Sequence, residues 1–333
     1  MLNNLNILFI LMMIISSLIS ISATNWFGAW MGLELNMLSF VPLMVENKNI
    51  LSNESALKYF LIQAVASSMF IMFSVFNSFF YFLFFNFTFF ALQNFLLMIP
   101  LFIKLGAAPF HTWFIMIMEG MKWPLCFLLM TWQKIAPLFI ISYIYVNNNL
   151  LMFFSISSLV VGSIGGLSQT SFRKLLAFSS VNHIGWLISS LMLNKILLLM
   201  YFLFYFFMNL FVFFNLNLNS TFQFNQSFMK PQLFSLAISF LSLGGLPPFL
   251  GFLPKWMILQ NWIAEKSFFL CFVLVMTALI TLYYYLRITY SIFINLSLSS
   301  KWIFRPNVNL LTLNTIFLII SSTGLFLFNL ILT

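Results

Sequence analysis

The sequence predicts an all-α polytopic membrane protein of about eleven transmembrane helices, arranged as two inverted five-helix repeats that each contain a broken helix. Three observations carry this reading. Of 333 residues, 62% are hydrophobic and 6% charged, where soluble domains carry roughly a quarter charged residues. The few basic residues fall singly between long apolar runs. Two of those runs are interrupted in mid-course by glycine and proline.

A span of the hydrocarbon core needs about 20 apolar residues. Apolar runs set against polar or Gly/Pro interruptions give helices near 4–22, 25–44, 55–78, 84–119, 123–146 and 150–168. Five more follow near 173–193, 196–217, 232–263, 267–292 and 310–332. Residues 5–22 have no basic residue before them and read as a first helix rather than a cleaved signal. The chain is one transmembrane domain over 1–333, with a first repeat at 25–146, a second at 150–292, and 4–22 and 310–332 flanking them. The runs 84–119 and 232–263 are too long for single straight spans and read as broken helices.

An odd number of spans places the termini on opposite sides of the membrane. Sorting the connections by face assigns Lys48, Lys58, Lys122, Arg173, Lys174, Lys230, Lys301 and Arg305 to the side of the N-terminus. The other side receives Lys195 and Lys266. This is a positive-inside bias. The 47 Phe residues and the lack of any Asp fit the residue drift of an AT-rich organellar genome, so the basic side is read as the mitochondrial matrix. The formal charge of +9 is topological rather than a nucleic-acid surface.

Lys104, Lys134, Lys255 and Arg287 remain within spans, together with Glu34. Arg287, near a span end, is expected to snorkel. The first broken helix carries Lys104-Leu105-Gly106-Ala107-Ala108-Pro109-Phe110, and the second Leu243-Gly244-Gly245-Leu246-Pro247-Pro248-Phe249. A shared Leu-Gly-x-x-Pro core recurs at Leu105 and Leu243, so Gly106, Pro109, Gly244 and Pro247 are the expected break residues. Paired interrupted spans mark transporters built from internal repeats, because unwound backbone at membrane depth survives only where it is buried or lines a wet cavity.

Glu34 lies near the middle of the second span, where a carboxylate is costly unless it is paired or neutralised. A protonated, hydrogen-bonded structural carboxyl is the alternative. Lys104 abuts the first break, where freed carbonyls and water would solvate an ammonium. Burial disfavours that charge while an ionised Glu34 favours it. Lys134 is too deep to snorkel and is expected to face an internal polar path, and Lys255 occupies the corresponding broken helix of the other half. His183 stands in a polar stripe, Ser179-Ser180-Val181-Asn182-His183, as a proton relay or an interhelical hydrogen-bonding histidine. His111 follows the first break and lines either a cavity or a packed turn. Cys126 and Cys271 lack metal-ligand spacing and read as buried small hydrophobes. Neither a metal site nor a nucleotide or redox motif is predicted.

Three stretches together resemble the antiporter-like membrane subunits of respiratory complex I. They are Lys104 to His111 with Trp113, Ser171 to Trp186, and Gly244 to Phe252 with Lys255. The resemblance covers essentially the whole chain. It implies a core membrane-arm subunit of the proton-pumping NADH:ubiquinone oxidoreductase in the mitochondrial inner membrane. It implies Glu34 and Lys104 as a charge-coupled pair, Lys134 as central relay and Lys255 as the exit-side lysine. FMN, iron–sulfur clusters and ubiquinone would belong to the complex, with no cofactor in this chain. Implied partners are other membrane-arm subunits, among them neighbouring antiporter-like ones, with cardiolipin and other lipids and no nucleic acid. The alternatives are a cation/proton antiporter subunit and a structural spacer of the membrane arm.

Overall fold

The computed structural model describes residues 4–46, 49–83, 87–144, 148–219 and 233–298. The expected helix over 310–332 and the basic residues Lys48, Lys230, Lys301 and Arg305 lie outside the described residues. Every regular element described is an α-helix. In order these are α1 (Asn4–Ser22), α2 (Trp26–Met44), α3 (Ile50–Leu83), α4 (Phe87–Leu105), α5 (Thr112–Gly120), α6 (Trp123–Met130) and α7 (Trp132–Tyr143). There follow α8 (Asn148–Leu167), α9 (Phe172–Leu193), α10 (Lys195–Asn219), α11 (Leu233–Gly244), α12 (Phe252–Ala264) and α13 (Phe268–Leu298).

Seven of these elements, counting α6 and α7 as one, are long and apolar enough to cross a membrane: α1, α3, α6–α7, α8, α9, α10 and α13. The chain divides into two compact units that meet in sequence between Phe154 and Ser155. In the first, α2 packs between α1 and α3, α3 meets α4 and α5, and α7 touches α1, α2 and α4. In the second, α10 packs on α9 and α11, α13 on α11, and α12 on α9, α10 and α13.

Polarity is distributed in reverse of a water-soluble bundle. Leu5, Leu57, Phe79, Phe268 and Tyr290 point outward, whereas Asn36, Gln63, Lys134, Asn182 and His183 are buried. With no water to receive them, buried serines bond within their own helices: Ser16 donates to the Met13 carbonyl at 2.9 Å and Ser179 to that of Leu176 at 2.8 Å. This satisfies a hydroxyl without requiring a partner on another helix.

Both expected broken helices are interrupted, and the two interruptions share one geometry. Gly106 has φ +70 and Gly245 φ +79, a conformation open to glycine and strained for residues with a Cβ. The amide of Gly106 donates to the Ile103 carbonyl and that of Ala107 to Phe102. In the second break the amide of Gly245 donates to Ser242 and that of Leu246 to Leu241. Each pair is the double closure of a Schellman end, which occupies carbonyls left over at a helix C-terminus. This changes the sequence register. Gly244 is the last helical residue of α11, and the left-handed position falls on Gly245. The breaks therefore correspond at a spacing of 139 residues (106 to 245) rather than the 138 of the Leu-Gly-x-x-Pro match. Pro109 pairs with Pro248 and not Pro247. The letters match in either register, and the cap selects the second glycine.

One expected continuous span is divided. The run over 123–146 separates at Thr131, with φ −114 and ψ −71. The Thr131 amide and hydroxyl both donate to the Phe127 carbonyl, at 3.0 and 2.7 Å. Pro137, further along α7, supplies no N–H to the Gln133 carbonyl and crowds it. The ladder is thereby thinned on both sides of Lys134. Elsewhere α3 begins earlier than the expected 55–78 span, extended by a turn that holds the exposed Glu54–Lys58 pair.

The register of the second break can be tested by substitution. Gly245→Ala is expected to cost about 1–2 kcal/mol through the left-handed backbone, whereas at Gly244 a Cβ would find its nearest neighbour, Tyr285, at 3.5 Å. Thermal denaturation of the purified membrane protein should therefore show a lowered midpoint for Gly245→Ala and none for Gly244→Ala. The reverse order would restore the 138-residue register.

Candidate functional site

Three of the four expected pathway residues belong to the first unit. Lys104, the penultimate residue of α4, lies inside the turn that the Schellman bonds close, with 7% of its surface exposed, and Lys134 lies in the first turn of α7 with 2% exposed. Both line a single cavity with Asn36 of α2 and Tyr59 and Gln63 of α3. The space open to water centres there is about 20 Å³, room for at least one water molecule. The Lys134 ammonium also stands 5.3 Å from the centre of the Phe114 ring, a cation–π placement that offsets part of its desolvation.

Glu34 lies on α2 beside that face, within electrostatic range of Lys104. The two do not form a direct ion pair; those found among the described residues are Lys58–Glu54 and Lys122–Glu46. Glu34 Oε2 is buried and accepts no hydrogen bond from a described residue. A carboxylate oxygen so placed costs free energy unless a proton, water or cation attends it.

A hydrogen-bonded triad was not anticipated from the sequence. Gln133, adjacent to Lys134, accepts from the Tyr59 hydroxyl at 3.3 Å and donates to Asn36 Oδ1 at 3.0 Å. Its amide nitrogen also approaches Met13 Sδ of α1 at 3.4 Å. Four helices thus meet at one side chain on the wall of the lysine cavity. Asking which uncharged amides sit inside apolar spans would have found Asn36, Gln63 and Gln133; considering only ionisable groups passed over them.

In the second unit, Lys255 of α12 turns back onto the end of α11. Its ammonium donates to the Gly244 carbonyl at 2.9 Å and the Leu243 carbonyl at 3.4 Å, where the helix dipole presents partial negative charge. The solvation by freed carbonyls expected for Lys104 is therefore realised at Lys255. In the first break the Trp113 indole donates at 3.0 Å to Ile103 O, the carbonyl that already accepts the Gly106 amide and corresponds to Ser242 O of the second break. Lys104 lines the cavity instead. The helix return of the second break is tight: a Cβ at Gly251 would collide with the Ser242 carbonyl.

His183 is buried at 5% exposure on α9, with Nδ1 2.8 Å from the Tyr201 hydroxyl and its ring 4.8 Å from that of Tyr205. Tyr201 stacks on Trp186, which lies 6.0 Å from the Lys255 ammonium. The imidazole and lysine thus belong to one aromatic-lined cluster. His111 precedes α5, and its Nδ1 lies 3.1 Å from the Pro109 carbonyl within the break itself. Arg287, expected to snorkel, is exposed. It donates to the carbonyls of Leu167 and Gln169 at 2.8 and 3.2 Å and so caps α8.

Buried lysines beside interrupted apolar helices, in a chain with seven helices long and apolar enough to cross a membrane among the described residues, fit an antiporter-like transmembrane protein. A family profile described as NADH:quinone oxidoreductase/Mrp antiporter, TM, matches residues 23–281. The chain is 45% identical to NADH-ubiquinone oxidoreductase chain 2 of Anopheles gambiae over 98% of its length and 97% of that protein. It is 47% identical to the chain of the same name in Aedes aegypti, again over 98% and 97%. Among solved structures it resembles a chain of respiratory complex I from Thermus thermophilus with bound Aureothin. The TM-score is 0.84 at 24% identity, covering 97% of this chain and 78% of that one. The chain therefore belongs to the NADH:quinone oxidoreductase/Mrp antiporter transmembrane family, in its NADH-ubiquinone oxidoreductase chain 2 branch.

The two breaks should respond differently to loss of their caps. Lys255→Met leaves the Gly244 carbonyl without its donor and should destabilise the protein by about 1–3 kcal/mol. Trp113→Phe should cost less, because Ile103 O keeps the Gly106 amide. Equal losses in thermal stability would contradict these assignments.

Proposed function

We propose that this chain is a core membrane-arm subunit of the proton-translocating NADH:ubiquinone oxidoreductase of the mitochondrial inner membrane, moving protons through its buried Glu/Lys chain. The observation that carries this reading is the shared cavity of Lys104 and Lys134, with Glu34 electrostatically coupled to the first of them. Catalytic electron transfer takes place in other subunits, which hold the FMN, iron–sulfur clusters and ubiquinone. Eleven spans in two inverted repeats, with the N-terminus in the matrix, form the framework. Neighbouring antiporter-like subunits and lipids, cardiolipin among them, surround it.

In this scheme, quinone reduction elsewhere in the complex alters the charge or hydration around Glu34 and Lys104. The change in their interaction releases a proton toward Lys134 and onward to Lys255. Moving one proton against 100 mV costs about 2.3 kcal/mol, and a hundredfold change in the proton affinity of a lysine is worth about 2.7 kcal/mol. A modest change in the electrostatic coupling of Glu34 and Lys104 is thus of the required size. His183, hydrogen-bonded to Tyr201, is a candidate relay or orienting group beside Lys255.

Lys104→Met and Lys134→Met should leave the complex assembled and able to oxidise NADH, with fewer protons moved per electron. Simultaneous measurement of NADH oxidation and proton uptake in sealed vesicles tests this. A ratio equal to the parent's in both variants would remove the lysines from the transport route.

A further inference from the structure

We infer that Gln133 is a positioning residue of the lysine cavity: by engaging the Tyr59 proton it turns the Tyr59 oxygen into an acceptor that favours positive charge between Lys104 and Lys134.

The orientation follows from the chemistry of its three partners. Met13 Sδ and Asn36 Oδ1 can only accept, so the Gln133 group facing both at 3.4 and 3.0 Å is the amide NH2. The carbonyl Oε1 is then left for Tyr59, 3.3 Å away, and the hydroxyl is the donor of that pair. A phenol has one proton. With that proton directed at Gln133, the Tyr59 oxygen offers its lone pairs to the cavity that it lines with both lysines. An ammonium, or a water receiving a proton from one, is stabilised against such an oxygen. Gln133 itself neither gains nor loses a proton at any working pH, so it fixes the polarity of the wall without joining the relay.

The titratable groups around this cavity are few. Lys104 of α4, Lys134 of α7 and Tyr59 of α3 form its wall, and Glu34 of α2 acts on Lys104 electrostatically. From α5 and α6 come Trp113, Phe114 and Leu129, and from α1 Met13, none of which titrates. A change in the polarity of the Tyr59–Gln133 pair therefore acts on the two lysines with little competing charge.

This inference rests on the proton-transfer reading of Lys104 and Lys134, and its test separates the two. In the assembled complex, the pH profile of coupled NADH oxidation is compared for the parent, Tyr59→Phe, Gln133→Met and Gln133→Glu. Tyr59→Phe removes the acceptor, so the alkaline limb should move to lower pH. Gln133→Glu adds a carboxylate to the same wall, so that limb should move to higher pH, with slower turnover because the cation is held too firmly. Opposite displacements of these two at normal assembly are the expected result; Gln133→Met, which frees the phenol proton to turn toward the cavity, should move the limb to lower pH as Tyr59→Phe does, whereas a merely structural amide would leave it in place. An unmoved limb in Tyr59→Phe or in Gln133→Met, or displacement of Tyr59→Phe and Gln133→Glu in one direction, would overturn the inference while leaving Lys104→Met and Lys134→Met to decide the transport reading. If Gln133→Glu does not assemble, Tyr59→Phe and Gln133→Met decide: acid-shifted limbs in both support the inference and an unmoved one in either overturns it.

Discussion

The structure depends on the need to satisfy backbone carbonyls where a helix stops inside an apolar medium. An unpaired carbonyl at membrane depth costs several kcal/mol by rough reckoning, so neither α4 nor α11 could end there without donors. The Schellman closures at Gly106 and Gly245 supply two amides each; the Lys255 ammonium takes the next two carbonyls of α11, and the Trp113 indole adds a second donor to Ile103 O of α4. Only because those ends are closed can the chain turn within the membrane and bring Lys104 to a cavity and Lys255 onto a helix terminus.

From that constraint follows a division of labour between the lysines. At the first break Trp113 adds a neutral donor to the Ile103 carbonyl, and Lys104 lines the cavity within electrostatic range of Glu34. Lys134 is reached from the other side of the same cavity, where the thinned ladder around Thr131 and Pro137 places it. Its neighbours are neutral amides and an aromatic ring. The surrounding bundle supplies dryness: with buried serines bonded to their own helices, few other polar groups compete for the water that the cavity admits.

Much of this was legible in the sequence because charge is conspicuous in an apolar chain. Glu34, Lys104, Lys134 and Lys255 stood out as lone ionisable residues within spans, and Gly106 with Pro109 marked the first break. What could not be read were relations that depend on three-dimensional closure. The second break was displaced by one residue because Gly244 and Gly245 are indistinguishable as letters, and only the left-handed dihedral separates them. The Tyr59–Gln133–Asn36 contacts span 74 and 97 positions, so no local pattern announces them. Arg287 was expected at an interface because a long basic side chain near a span end ordinarily reaches one. Its capture by the end of α8 requires knowing where that helix stops.

The seat of Lys255 has a further consequence. A neutral amine retains two N–H bonds, and two carbonyls await it. The nitrogen can therefore surrender a proton and go on holding both Leu243 and Gly244 while gaining a lone pair. Both hydrogen bonds at that corner survive in either charge state of its keystone, so a change of protonation there would not require the scaffold to be remade.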